Sequence, residues 1–366
     1  MTESICIYTK EIHNEASLKS GDHIFLAAIG GIKKLPKSYV SHDVNNYFSN
    51  KERLFSRESI ISIIRQFEGP GKRGKLNENK ATKSKISVMD TQNDTNGIEK
   101  RYFLGYIKLG KPYIINQLVF SLDTESISFN LKSNLIEEKK EYNQEFKSFF
   151  KAIKNYESPT LILDSKLPNT LALFGKSDNK WFLAVNNEEL VSLAEKRIRK
   201  FQNCDKFNIG HYNRELTPVT NSQEYNMDLD NFDRIIAKMA FNFLACKKGS
   251  EFVLKSEFDS IRSWILEGTN PSNKIFVSMC PSDKIEKFLS KYLRSFSLGK
   301  KHFIIIIQLG AKLRALVSLY GSSFNFVVNL TELKKDEIAV ENIIGLICDW
   351  ENRKEYSLSE LISSMN

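Results

Sequence analysis

Asp22 stands directly before His23, and Asn45 and Asn46 follow downstream. Carboxylate and amide oxygens are hard donors of the kind that hold Mg²⁺ or Mn²⁺. An imidazole beside such a ligand can take a proton from water. A metal held by Asp22 and Asn45 would then stabilise charge on a phosphate and on its leaving oxygen. These residues are what a one-metal phosphodiester hydrolase needs, with Asp22 and Asn45 as ligands and His23 as the base. His42, three residues before Asn45, could add a ligand or a phosphate contact, and Asn46 is a further candidate.

The elements around these residues must bring them together. Asp22 to Leu26 reads as a strand, with β-branched and aromatic residues after the histidine. Gly30-Gly31 permits positive φ and a tight reversal. Tyr39 to Ser41 reads as the returning strand, and Asp43 as the N-cap of a helix. Asn45 and Asn46 then lie in the first helical turn, near the point to which the hairpin delivers Asp22. Asn is a poor helix-interior residue, so two in succession need a reason. Capping supplies one and metal binding another; with Asp-His upstream, ligation by Asn45 is the reading taken.

The order of these pieces resembles the HNH, or ββα-metal, endonuclease family. Cys6-Ile7-Tyr8-Thr9 is similar to the opening Cys-x-x-Cys of its zinc-stapled members. Asp22-His23-Ile24 is similar to the first active-site strand, and Ser41-His42-Asp43-Val44-Asn45-Asn46 to the turn that starts the family's helix. Weaker likenesses continue at Ile64 to Lys75, Ala237 to Cys246, Leu319 to Gly321 and Phe326 to Val328. The resemblance implies Mg²⁺ or Mn²⁺ at Asp22 and Asn45, His23 as general base, and cleavage of double-stranded DNA, with a role in phage or mobile-element defence. Thr9, Ser41 and Val44 replace three of the four zinc cysteines, so structural zinc is not expected; Ile5, Ile7, Val40 and Val44 are expected to pack in its stead. Those replacements motivate a second reading: a catalytically decayed module of the same fold that binds DNA or protein.

The 366 residues exceed what such a motif requires and suffice for two domains. The expectation is an α+β chain: a small ββα-metal domain over 1–70, a basic flexible linker over 71–100, and a larger mixed α/β domain over 101–366. The linker carries Lys72, Arg73 and Lys75 among Gly, Asn and Ser. Such a segment could lie along phosphates or merely stay solvated. A net charge of +9 favours a polyanionic partner, nucleic acid first. The C-terminal domain is left to recognition, a protein partner or a small regulatory ligand. Five cysteines, none in a Cys-x-x-Cys pair, fit a reducing compartment rather than a secreted disulfide framework. The longest apolar runs, such as Phe303 to Ile307, are far short of a membrane helix, and a cytoplasmic protein is expected.

Further along, strands are predicted over 102–109, 113–122, 126–131, 160–163, 171–174, 181–185, 275–279, 302–309, 313–320 and 324–330. Helices are predicted over 56–67, 142–156, 188–201, 232–246 and 258–266. The apolar positions of the helix ending at Cys246 read as a core stripe with no chemistry. His302 reads as structural, and Ser357 to Glu360 has capping-box spacing.

Overall fold

The structure is a computed structural model. It describes residues 3–14, 21–71, 74–75, 77–91, 100–124, 126–130, 139–203, 219–221, 227–270, 273–284, 287, 299–321, 323–334 and 343–365. Helices and strands are both abundant, as an α+β chain requires. Two compact units form: Met1–Thr82 with Tyr225–Asn366, and Lys83–Glu224. The boundary expected near residue 70 falls inside the first unit, and 71–100 is divided between the two. The physical reason is a shared core. Apolar side chains from Cys6 to Ile61 bury together with those from Phe232 to Trp350 in one cluster.

The first unit opens with a two-stranded ribbon, β1 (Glu3–Ile5) and β2 (Ile12–Asn14). The hairpin expected around Asp22 is reduced to a single antiparallel bridge, His23 to Lys34. Ile24, Phe25 and Leu26 are all buried in succession. A two-residue alternation is absent there, so a half-exposed strand does not form. Two 3-10 turns, Ala27–Ile29 and Lys37–Tyr39, stand where the strands were expected to continue and return.

Helix α1 (His42–Glu58) starts two residues earlier than predicted. Ser41, not Asp43, is the N-cap: its Oγ accepts from the Val44 amide at 3.4 Å. Helix α2 (Ile61–Phe67) follows.

Gly30 closes the first 3-10 turn at φ +103°, and Gly31 packs its Cα against Phe25, where a Cβ would lie 1.8 Å from the Phe25 carbonyl oxygen. That oxygen belongs to fixed backbone. Gly31→Ala is therefore expected to destabilise the protein by at least about 1–3 kcal/mol, read as a fall in the urea midpoint. A midpoint equal to wild type would mean this turn is free to move.

The stretch expected as a flexible linker is ordered where it is described. Gly71 N–H donates to Lys75 O at 2.8 Å, and Arg353 Nη1 donates to Gly74 O at 2.8 Å. Beyond it, β3 (Ser87–Thr91) already belongs to the second unit's sheet.

In the second unit, β4 (Tyr102–Lys108), β5 (Lys111–Ile114), β6 (Asn116–Ser121) and β7 (Ile127–Asn130) precede helix α3 (Lys139–Ile153). Then come β8 (Thr160–Leu163), β9 (Leu171–Ser177), β10 (Lys180–Val185), helix α4 (Val191–Gln202) and β11 (Val219–Asn221). One sheet has the order β11-β3-β4-β5 and the other β7-β6-β9-β10-β8. Every pairing is antiparallel except β8 with β10. The predicted helices of this region are present, but the single strand expected over 113–122 is divided between β5 and β6, which belong to different sheets. Phe149, Ile153, Ala194, Ile198 and Phe201 of α3 and α4 pack on Phe120 and Phe174 of the second sheet.

The chain returns to the first unit with α5 (Leu229–Lys248), α6 (Ser250–Val253) and α7 (Asp259–Glu267). A six-stranded antiparallel sheet follows. Its members are β12 (Val277–Met279), β13 (His302–Leu309), β14 (Lys312–Leu319), β15 (Phe324–Glu332), β16 (Ile344–Asp349) and β17 (Lys354–Ser357), in the order β12-β15-β14-β13-β16-β17. β13, β14 and β15 form an antiparallel meander, and its first turn lies at Gly310-Ala311.

Strand β13 is continuously apolar from Phe303 to Ile307 because both of its faces are covered. Ile304 and Ile306 join the α5 core, whereas Phe303 and Ile305 pack with Leu358 of the last helix, α8 (Leu358–Met365). The predicted capping box begins α8: the Ser357 amide donates to Glu360 Oε2 at 2.6 Å and the Glu360 amide to Ser357 Oγ at 3.2 Å.

Candidate functional site

Helix α5 is buried around its whole circumference from Arg234 to Ala245. A helix apolar on every side is what a central core position asks for, and from Ile235 to Ala245 α5 meets that demand except at Lys238 and Asn242. These two lie one turn apart on one face, and both have no exposed surface. A buried charge must be paired and hydrogen-bonded to be tolerated, and the partners come from the N-terminal segment.

Lys238 Nζ donates to Asp22 Oδ2 at 2.5 Å and to Glu52 Oε1 of α1 at 2.9 Å. Asn242 Nδ2 donates to the same Asp22 oxygen at 3.0 Å and to the His23 carbonyl at 2.9 Å. The Tyr8 hydroxyl completes the set by donating to Asn242 Oδ1 at 2.6 Å. The other Asp22 oxygen accepts the His23 amide at 2.9 Å. Asp22, expected as a metal ligand, thus accepts three hydrogen bonds, and its side chain is only 4% exposed.

Glu52 is the member of the cluster nearest to solvent, with a quarter of its side chain exposed. Burial raises its pKa, and Lys238 offsets only part of that rise. Burial works against the Lys238 ammonium too, but Asp22 and Glu52 outweigh it and raise its pKa. The His23 imidazole is lowered to about 4, first by burial and then by the nearby Lys34 ammonium. It is neutral at pH 7, the form a proton acceptor needs.

The arrangement does not fit a resident divalent ion at Asp22. Mg²⁺ demands oxygen donors at about 2.0–2.1 Å in near-octahedral array. Here the ammonium of Lys238 lies against Asp22 Oδ2, and the amide group turned toward that oxygen is the donor end of Asn242. An entering cation would meet a like charge and displace both groups.

Asn45 lies on the stripe of α1 that carries Glu52, two turns earlier, and is half-buried. His42 and Asn46 are exposed and bond each other, Asn46 Nδ2 donating to His42 Nε2 at 2.9 Å. Lys75 is exposed, and Lys72 and Arg73 lie outside the described residues.

The positions likened to zinc cysteines hold a different contact. The Ser41 amide donates to Cys6 Sγ at 3.4 Å. Ile7, Val40 and Val44 are buried there as expected, whereas Ile5 is largely exposed.

Sequence reasoning missed Tyr8, Glu52, Lys238 and Asn242. A signal was present for two of them: Lys and Asn four apart inside an otherwise apolar helical run from Ile235 to Leu244. No family model, curated protein or solved structure matches the chain.

Proposed function

We propose that the chain is an HNH-like module in which the Lys238 ammonium stands where a ββα-metal nuclease carries its ion, and that it works by binding nucleic acid. The observation that carries this reading is the Lys238 nitrogen, sealed from solvent and within hydrogen-bond distance of both Asp22 and Glu52. A tethered cation balances the carboxylates and also ties α5 to the N-terminal segment, which a diffusible ion would not do. Double-stranded DNA is the partner taken first, on the net charge of +9. The half-exposed His23, with Lys34 as its electrostatic neighbour, and the exposed Lys37 and His42 supply phosphate-contacting groups on this side of the first unit.

Binding to a labelled duplex, followed by fluorescence anisotropy, tests the reading. The Kd is expected to be indifferent to a chelator and to weaken steeply as salt rises. Replacing both Lys34 and Lys37 by Glu should flatten the salt dependence, by about 0.9 in log–log slope for each phosphate that is no longer neutralised. Supercoiled plasmid should stay intact with Mg²⁺ or Mn²⁺. Nicking that needs the metal and disappears in His23→Ala would instead favour the hydrolytic reading, with His23 as base. Failure to bind duplex at low salt would remove nucleic acid as the partner.

A further inference from the structure

A cavity of about 260 Å³ opens in the first unit beside the β14–β15 pair. The register of that pair shifts at Leu313/Arg314, where Leu313 faces Thr331 and Arg314 faces Asn329. A bulge of this kind re-aims side chains out of the regular pleat, and Arg314 lines the cavity. Its Nε is buried and has no hydrogen-bond partner among the described residues. Such a donor has given up water without a replacement, an arrangement that a native protein retains for a reason.

The acids around the cavity do not supply the missing partner. Glu332 is engaged with Lys312 at 3.8 Å, and Glu257 with Lys334 at 3.4 Å. Lys274, also in the lining, has no ion pair among the described residues. Two cationic groups therefore face the cavity with no protein anion assigned to them.

Part of the lining is apolar and held in place. Phe276 stacks on Trp264 with ring centroids 4.9 Å apart. Asn329 holds the adjoining backbone, its amide donating to Phe276 O at 2.8 Å and its Nδ2 to Ile275 O at 2.9 Å. Ile275 is left 72% exposed at the lining. Preformed pockets that pair an apolar wall with a few convergent polar groups are where small ligands bind.

The geometry points to this cavity as a binding site for a small organic oxyanion, its carboxylate or phosphate on Arg314 and Lys274 and its apolar body on Ile275. The guanidinium edge offers the paired donors that planar or tetrahedral oxyanions accept. The volume suits a compact ligand and not a polymer. This inference is independent of the Lys238 cluster, which it does not involve.

Isothermal titration of the full chain with phenyl phosphate, benzoate and phenol tests the site. Saturable one-to-one binding of phenyl phosphate or benzoate is expected, and none of phenol. Which anion binds tighter separates the phosphate source from the carboxylate source. Arg314→Gln should weaken that binding at least tenfold. Lys274→Ala, on an exposed side chain, should weaken it several-fold. Absence of saturable binding by wild type, or affinities unchanged in Lys274→Ala, would overturn the proposal.

Discussion

Lys238→Met is expected to destabilise the first unit by about 3–5 kcal/mol, because it leaves the Asp22 carboxylate buried and without its charge partner. The volume of the side chain is nearly kept, so packing loss is a minor part of the effect. Asp22 would retain Asn242 and the His23 amide as donors, which do not neutralise it. Asp22→Asn should also destabilise, by stranding the ammonium against Glu52 alone. Combining Asp22→Asn with Lys238→Met should cost less than the sum of the two, since neither charge then remains. Urea unfolding followed by circular dichroism gives all three values. A loss below about 1 kcal/mol for Lys238→Met would mean that the pair is solvated and that α5 is not anchored through it.

Acid should unfold the protein through His302. Its Nε2 faces the Ile29 carbonyl at 2.9 Å, and its Nδ1 accepts the Tyr320 amide at 2.9 Å. That assignment makes the ring neutral, with one nitrogen donating and the other accepting. Burial, only partly opposed by the bond to Ile29, lowers its pKa to about 3 from an ordinary 6.5. The folded value lies below the unfolded one. The stabilisation is therefore complete above about pH 6.5 and is lost as pH falls toward 3, at up to about 1.4 kcal/mol per pH unit. His23, lowered to about 4, acts in the same direction over a narrower window, weakened by its exposure. Glu52 acts the other way. Its raised folded pKa gives a contribution that is complete below its unfolded value and lost as pH rises through the folded one. The difference between wild type and His302→Gln isolates the His302 part. His302→Gln should be less stable at pH 7 and show a shallower fall between pH 6.5 and 4. Parallel curves for the two proteins would show that the ring is not buried in its neutral form.

Much of this fold was legible in the sequence where local pattern and burial agree. The strands of the β13–β15 meander, the capping box at Ser357 and the apolar stripe of α5 all follow from periodicity and turn chemistry. The Asp22–Leu26 strand was misread because Ile24, Phe25 and Leu26 have β propensity but serve a core on more than one side. Propensity cannot distinguish a strand from an irregular segment packed into an interior. Ser41 and Asp43 are both good caps; which one acts is decided by where the chain leaves the 3-10 turn at Tyr39. The joining of Met1–Thr82 with Tyr225–Asn366 is a long-range fact that composition does not carry. At the site, Asp22 and His23 stood out because their adjacency is visible along the chain. Lys238 and Asn242 looked like isolated polar residues on a core helix, since their meaning depends on a partner more than 200 positions away. Glu52, in a charged run of α1, looked like any solvated acid until Lys238 was placed beside it.

The claim that Lys238 takes the place of a divalent ion is tested most directly by titrating Mn²⁺ into the full chain and counting bound ion by electron paramagnetic resonance. Wild type is expected to bind no stoichiometric Mn²⁺, and its spectrum in the presence of the ion should match that of Asp22→Asn. One tightly bound Mn²⁺ per chain in wild type, lost in Asp22→Asn, would contradict the account and return Asp22 to the role of metal ligand.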